Sequence, residues 1–401
     1  MREGAALDVR FDFERSADGY RGTFDSDRLR ASGIPVSGIR LESARVEFQL
    51  VGDETTTSFE GALRGDTLSG EFQDGSARGT FVLARTPAPA EAPRERDVTF
   101  RNGAVTLAGT LLLPAASGKC PAVVFVHGSG AEGRWASRYL AFLLARHGIA
   151  ALIYDKRGVG GSTGDWQNSG FEDLAADAGA AIAWLRAQPE IDPGRVGVHG
   201  HSQGGTIAPL IAAQNPQVAF VVGSSASGVS TAQCEVYSVS NALDPRSLGA
   251  DSTAAMDYVS ELVAVAYQGG PRARLDSLAA ALRGRKWFTE PPPDSYWWAF
   301  SRRIAAYDPL AFWRKVRVPV LLLYGERDQR VPAALSAERI GQALRAAGNR
   351  RLTVHTFPGA NHGFRLESPP GHFDWPKSAP GYPDVLVDWI AEVTREPNRA
   401  H

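Results

Sequence analysis

Hydrophobic and polar residues alternate through the first 85 positions of the chain. Leu7, Val9, Phe11 and Phe13 form one such run, and Val46, Phe48 and Leu50 form another. Shorter pieces around Phe24, Phe59 to Leu63, Leu68 to Phe72 and Thr80 to Leu83 repeat the pattern. A period of two is the signature of strands with one buried face. Asp18-Gly19, Gly52-Asp53, Gly65-Asp66 and Asp74-Gly75 punctuate these runs with turn chemistry. The spacing predicts a small all-β barrel or sandwich over residues 1–85, with no polar cluster suited to chemistry. "TPAPAEAPRER", which ends at residue 96, then reads as a stiff Pro/Ala-rich linker over 86–96.

From residue 97 the pattern changes. "VTFRNGAVTL" is two alternating runs about Asn102-Gly103, a type I′ hairpin signal. "PAVVFVHGSG", "ALIYDKRGVGG", "RVGVHGHSQGG" and "VPVLLLYGERD" are continuous apolar runs that each end in glycine and polar residues. Such runs are strands buried on both faces, with loops at their carboxyl ends. Helical stretches alternate with them: Leu174, Ala178, Ile182 and Leu185 fall on one face of "EDLAADAGAAIAWLRAQ". Strand alternating with helix predicts an α/β architecture with a mostly parallel sheet over 97–226 and 317–401, and ligands at the strand ends. Residues 227–316 break the alternation. They read as helical and aromatic-rich, too long for a connecting loop, and are expected to form a lid.

Charge and cysteine content narrow the function without naming it. Lys and Arg total 43 against 44 Asp and Glu, so no basic field favours nucleic acid or an anionic membrane. No apolar run is long enough to span a bilayer. The two cysteines, Cys120 and Cys234, lack CxxC spacing and a histidine partner, which argues against a zinc site or a disulfide framework. The start, "MREGAALDVRFDF", enters strand alternation without the apolar stretch of a signal peptide, and localisation stays open.

The chemistry concentrates where "RVGVHGHSQGGTIAPLIAAQ" passes from strand to helix. Gly200-His201-Ser202-Gln203-Gly204 fits G-x-S-x-G, with a strand expected before it and a helix after it. Glycines there allow close passage of neighbouring backbones, and Ser202 would sit where free helix N–H groups favour negative charge. A serine needs a base and an acid that orients the base. Asp328, in the loop after "VPVLLLYG", is the expected acid; Glu326 competes but lies closer to the strand and is expected to be structural. His362, in the Pro/Gly/Asn loop of "HTFPGANHGF", is the expected base. His355 falls inside a strand, His372 in a Pro/Gly-rich loop suited to a pocket rim, His147 at a helix end, and His401 at the terminus; His201 is expected to support the site from behind. The backbone N–H groups of Gln203 and Ser129 are the candidate oxyanion donors. "YDKRGVGGSTG" lacks the ending of a phosphate-binding loop and reads as a structural and pocket-wall loop.

The ordered set HGSG, YDKRGVGGSTG, GHSQGG, YGERDQRVP and PGANHGF resembles the α/β-hydrolase superfamily, specifically its serine esterases. "GTFDSDRLRASGIPVSGI" and "FEGALRGDTLSGEF" are similar to the β-domain that precedes the hydrolase domain in a group of bacterial carboxylesterases. The resemblance implies the α/β-hydrolase fold and Ser202, Asp328 and His362 as a catalytic triad. It also implies no metal or organic cofactor, a small acyl ester as substrate, and relatives that are often exported. A homo-oligomer is left open. Trp287, Trp297 and Trp298 of the lid are candidate substrate contacts, with at most one of the adjacent pair 297 and 298 facing the acyl group. Thioesterase, acyl transferase and small-peptidase chemistry share the same acyl-enzyme. An aminopeptidase would need lid acids, and Asp257, Glu261, Asp276, Glu290 and Asp294 are scattered. A non-catalytic ligand-binding protein is disfavoured because serine, aspartate and histidine are all present.

Overall fold

Tight turns force sequential strands to pair. In the computed structural model, which describes residues 2, 5–51, 55–87, 92–243, 248–367 and 374–395, the N-terminal alternation becomes one antiparallel meander. Its strands are β1 (Arg10–Ser16), β2 (Gly19–Ser26), β3 (Ala31–Glu42), β4 (Arg45–Val51), β5 (Thr56–Arg64), β6 (Thr67–Asp74) and β7 (Ala77–Ala84), in that spatial order. The sheet curls about Phe24, Val36, Val46, Phe48, Leu68 and Phe81. Phe11 of β1 lies 5.0 Å from Phe48, and Phe48 lies 6.2 Å from Phe81 of β7, so both ends of the meander reach one aromatic core. Gly61 and Gly70 pair across β5 and β6, and a Cβ on Gly70 would stand 2.0 Å from the Glu60 carbonyl oxygen. That close approach lets the sheet bend there. The result is a single curled sheet and not the two facing sheets of a sandwich.

The hairpin expected about Asn102-Gly103 forms, with β8 (Arg94–Asn102) against β9 (Val105–Leu113); β8 takes in residues 94–96 of the expected linker, whose residues 88–91 lie outside the described residues. Asn102 pairs with Val105, so the two-residue turn is Gly103-Ala104, one position later than the sequence signal suggested. Gly103 has φ 57° and Ala104 is not left-handed, the II′ arrangement with glycine first rather than I′.

The second sheet runs β15-β14-β13-β12-β10-β11-β9-β8. β10 (Cys120–Val126), β11 (Ala150–Tyr154), β12 (Ile191–His201), β13 (Val221–Ser224), β14 (Val320–Gly325) and β15 (Leu352–Phe357) are parallel; β9 and β8 join antiparallel at one edge. Every residue of β11, β13 and β14 is buried, because helices cover both faces. On one face Leu174, Ala178, Ile182 and Leu185 of the helix Phe171–Arg186 pack beside Ile207 and Ile211 of the helix Gln203–Gln214. On the other, Leu144 packs with Tyr382, Leu386 and Ile390.

Between β13 and β14 lie the helices Thr231–Ala242, Ser252–Gln268, Ala273–Leu282, Tyr296–Ile304 and Pro309–Trp313. Tyr258, Leu262, Leu275 and Leu282 give this insertion its own small core, while Trp313 is fully buried in the main one. Among the described residues no helix is long and apolar enough to cross a membrane. Cys120 and Cys234 are both free thiols.

Directly behind the strand ends, Arg157 and Asp177 form a buried bidentate pair, with both nitrogen–oxygen distances 2.7 Å. Asn102 donates to the same carboxylate at 2.8 Å. Removing one partner of such a pair strands the other charge in a low dielectric. Asp177→Ala should therefore destabilise the α/β part of the chain by about 3–5 kcal/mol, read as a lowered urea midpoint of its unfolding transition. A midpoint equal to wild type would show that water solvates Arg157.

Candidate functional site

The turn between β12 and the helix Gln203–Gln214 is built by close backbone contact. Ser202 has φ 56° and ψ −114°, a conformation that costs free energy for a residue with a Cβ. Its N–H donates to the Ser224 carbonyl at 2.9 Å, which fixes the turn against β13. A Cβ on Gly200 would stand 2.2 Å from Gly204 backbone, and one on Gly204 would stand 2.3 Å from the Val126 carbonyl oxygen. Neither position admits any other residue without moving a strand or the helix.

Asp328 lies in the loop after β14. Its side chain is fully buried and Oδ1 accepts the N–H groups of Arg330 at 2.8 Å and Val331 at 2.9 Å. Burial alone would raise its pKa. The hydrogen bond and charge of His362, with the two backbone donors, outweigh burial and hold the carboxyl below its ordinary value. His362 lies in the loop after β15, and its Nδ1 is 2.8 and 2.9 Å from the two carboxylate oxygens. The structure thus brings the expected acid and base into direct contact. Ser202 and His362 line one cavity of about 520 Å³.

The other candidates take different positions. Glu326 accepts the Gly359 N–H at 2.8 Å and serves the turn of the histidine loop, as expected of a structural residue. His355 stays in β15 with its ring 4.3 Å from Phe357. His147 closes a helix, its Nδ1 2.8 Å from the Leu143 carbonyl oxygen. His372 and His401 lie outside the described residues. His201 is held neutral, its pKa lowered to about 4 by burial and then by the neighbouring His362, and its Nε2 lies 3.2 Å from the His362 carbonyl oxygen.

Gln203, the first residue of the helix, and Ser129 both line the cavity. The Ser129 loop owes its shape to Lys156, a residue of the segment expected to form a structural and pocket-wall loop. Lys156 is 2% exposed, and its ammonium donates to the carbonyls of Gly128 at 2.5 Å and Gly130 at 2.6 Å. Gly128 N–H in turn donates to Glu132 at 2.7 Å. Pinning the carbonyls on either side of Ser129 sets the peptide planes between them, and so the direction of the N–H groups. Burial lowers the Lys156 pKa to about 8, with Glu132 opposing that shift. The sequence shows only that Lys156 stands two residues beyond the buried β11, and carries no mark of the backbone carbonyls it binds.

The insertion contributes Glu235, Tyr267, Trp297 and Phe300 to the cavity lining, together with Trp166 and Phe171. Of the three tryptophans expected at the substrate, Trp297 lines the cavity. Trp298, one helical step away, donates to the Pro292 carbonyl at 2.9 Å and stacks under Arg272 on the outer side. Trp287 belongs to the core of the insertion, donating to Asp251 at 3.3 Å. Sequence reading also missed Glu235, the one carboxylate of the helix Thr231–Ala242. Its pKa is raised by burial, against the hydrogen bond from Trp297 Nε1 at 3.2 Å and the charge of Arg330.

A mostly parallel sheet with a strained serine turn at the end of a central strand, followed along the chain by an acid and a histidine on later strand ends, defines an α/β-hydrolase of the serine hydrolase type. The chain belongs to the X-Pro dipeptidyl-peptidase (S15) family, whose model matches residues 102–359. Among curated relatives, esterase EstD of Thermotoga maritima is 25% identical over 65% of this chain and 60% of its own length. An uncharacterized protein of Mycobacterium tuberculosis is 34% identical over 34% of this chain and 49% of its own. Mouse acyl-coenzyme A thioesterase 3 is 28% identical over 52% of this chain and 47% of its own. The chain thus spans about half of these relatives' length. Among solved structures, an esterase of Pyrococcus furiosus is 18% identical, covering 75% of this chain and 90% of that one with a TM-score of 0.48.

Replacing Lys156 by Met keeps the volume and removes the donors. Lys156→Met is expected to lower kcat by about 10- to 100-fold with KM nearly constant, less than the loss of an oxyanion donor itself. A proportional rise in KM would assign Lys156 to substrate binding instead.

Proposed function

We propose that the protein is a serine carboxylesterase that hydrolyses acyl esters through an acyl-enzyme. The observation that carries this reading is the contact of His362 Nδ1 with the buried Asp328 carboxylate at 2.8 Å, beside a cavity that also exposes Ser202 at its strained turn. His362 Nε2 accepts the Ser202 hydroxyl proton as Oγ attacks the ester carbonyl carbon. Asp328, kept ionised, stabilises the imidazolium. The N–H groups of Gln203 and Ser129 receive the oxyanion, the imidazolium protonates the departing alkoxide, and water repeats the sequence to release the acid. The aromatic lining suits an apolar acyl group. The likeness to esterase EstD supports the same chemistry.

A second reading, cleavage of a peptide bond near a free amine, has one observation in its favour beyond the family. Glu235 supplies a lid carboxylate inside the cavity, which the scattered acids recognised in the sequence did not.

A panel of p-nitrophenyl esters of rising acyl length, run beside aminoacyl p-nitroanilides, separates the two. Ester turnover is expected to dominate, and Ser202→Ala should lower its kcat on the order of 10⁴- to 10⁶-fold. A fluorophosphonate should label Ser202, and labelling of Ser129 or Ser162 in its place would overturn the assignment. If anilide turnover dominates and Glu235→Gln abolishes it while sparing esters, the peptidase reading replaces the first.

A further inference from the structure

Arg30 carries the N-terminal sheet to the histidine loop. Arg30 stands between β2 and β3 with φ 54°, a left-handed backbone that sends its side chain across to the α/β part. There Nη1 donates to the Gly363 carbonyl at 2.7 Å, Nη2 to the Phe364 carbonyl at 2.5 Å, and Nε to Ser378 Oγ at 2.8 Å. The guanidinium carbon lies 4.7 Å above the Tyr382 ring, and the Phe364 ring stacks on Tyr382 at 4.1 Å. Arg365 returns the contact by donating to the Leu29 carbonyl at 3.0 Å.

These bonds complete the loop next to His362. The His362 carbonyl accepts from Ser225 Oγ at 3.1 Å, and Asn361 Oδ1 accepts the N–H groups of Gly363 and Arg365. The two carbonyls that follow His362 point toward the N-terminal sheet, where the planar fork of an arginine matches two neighbouring acceptors at once. Phe364 itself has φ 57°, so this segment holds its shape only while its surroundings enforce it.

We propose that Arg30 is a positioning residue of the N-terminal β-sheet, holding the Gly363-Phe364 backbone so that His362 stays aligned with Asp328 and Ser202. The proposal gives the sheet a part in the reaction, and it rests on the triad reading above. A misplacement of the imidazole by a fraction of an ångström leaves the acyl pocket intact and lowers the rate of proton transfer.

The test compares Arg30→Ala, Arg30→Lys and Arg28→Ala in the full chain. Arg28 also ties the sheet to the α/β part, through Asp374 at 2.6 Å and the Trp375 carbonyl at 3.2 Å, but does not touch the histidine loop. Arg30→Ala is expected to lower kcat on p-nitrophenyl esters by about 10- to 100-fold with KM within about twofold. Arg30→Lys should recover part of that loss, and Arg28→Ala should stay near wild type. Amide hydrogen exchange of residues 361–366, read by mass spectrometry, should quicken about fivefold or more in Arg30→Ala alone. This readout needs no activity: if wild type fails to react with a fluorophosphonate the triad reading falls, while the exchange still tests the clamp. Unchanged exchange, a faster-exchanging loop with wild-type kcat, or an equal loss in Arg28→Ala would each overturn the proposal.

Discussion

Everything at the site depends on how closely three backbones pass beneath Ser202. The end of β10, the end of β12 and the first turn of the helix Gln203–Gln214 approach within a distance that excludes a Cβ at Gly200 and Gly204. That contact holds Ser202 at φ 56°, with its side chain directed out of the sheet toward the cavity. The strain is sustained by the neighbouring strands, the fully buried β13 on one side and β10, buried from Ala122 to Val126, on the other, which cannot relax without opening a close-packed core. A flexible loop could present a serine, but it could not keep it in a fixed direction.

Around this rigid point, polar groups are buried in pairs of donor and acceptor. Asp328 has His362 and two backbone N–H groups, Lys156 has two carbonyls, and Arg157 has Asp177. Each would be costly alone in a low dielectric, and each fixes a loop whose own sequence prefers no single conformation. The histidine beside the serine, His201, is kept uncharged and adds bulk without a competing positive charge at neutral pH.

The parts legible in the sequence were those written in side-chain pattern. Apolar runs ending in glycine gave the parallel strands, and the order of Ser202, Asp328 and His362 on successive strand ends gave the candidate site, because both follow from local periodicity and chain order. Lys156 was illegible as a loop anchor because its partners are backbone carbonyls, which look alike at every position. Trp297 and Trp298 could be separated only by the rotational phase of their helix. A period of two reads alike for barrel, sandwich and curled sheet, and the close approach at Gly61 and Gly70 is a property of the pair and not of either residue. Glu235 was passed over because one acid in a helix is ordinary until the cavity beside it is seen.

The contact of Arg30 with Gly363 and Phe364 joins positions 333 and 334 residues apart. The meander that carries Arg30 has only neighbour-to-neighbour pairing, and such topologies close their chain loops early. During synthesis that sheet can be complete while the histidine loop has yet to leave the ribosome, since domains generally form in N-to-C order. The serine turn, some 160 residues ahead of the histidine in the chain, is then also made before its base arrives. The base therefore reaches the site only after the serine turn and Asp328 have been made, and a chain that stops short of it carries an unarmed serine.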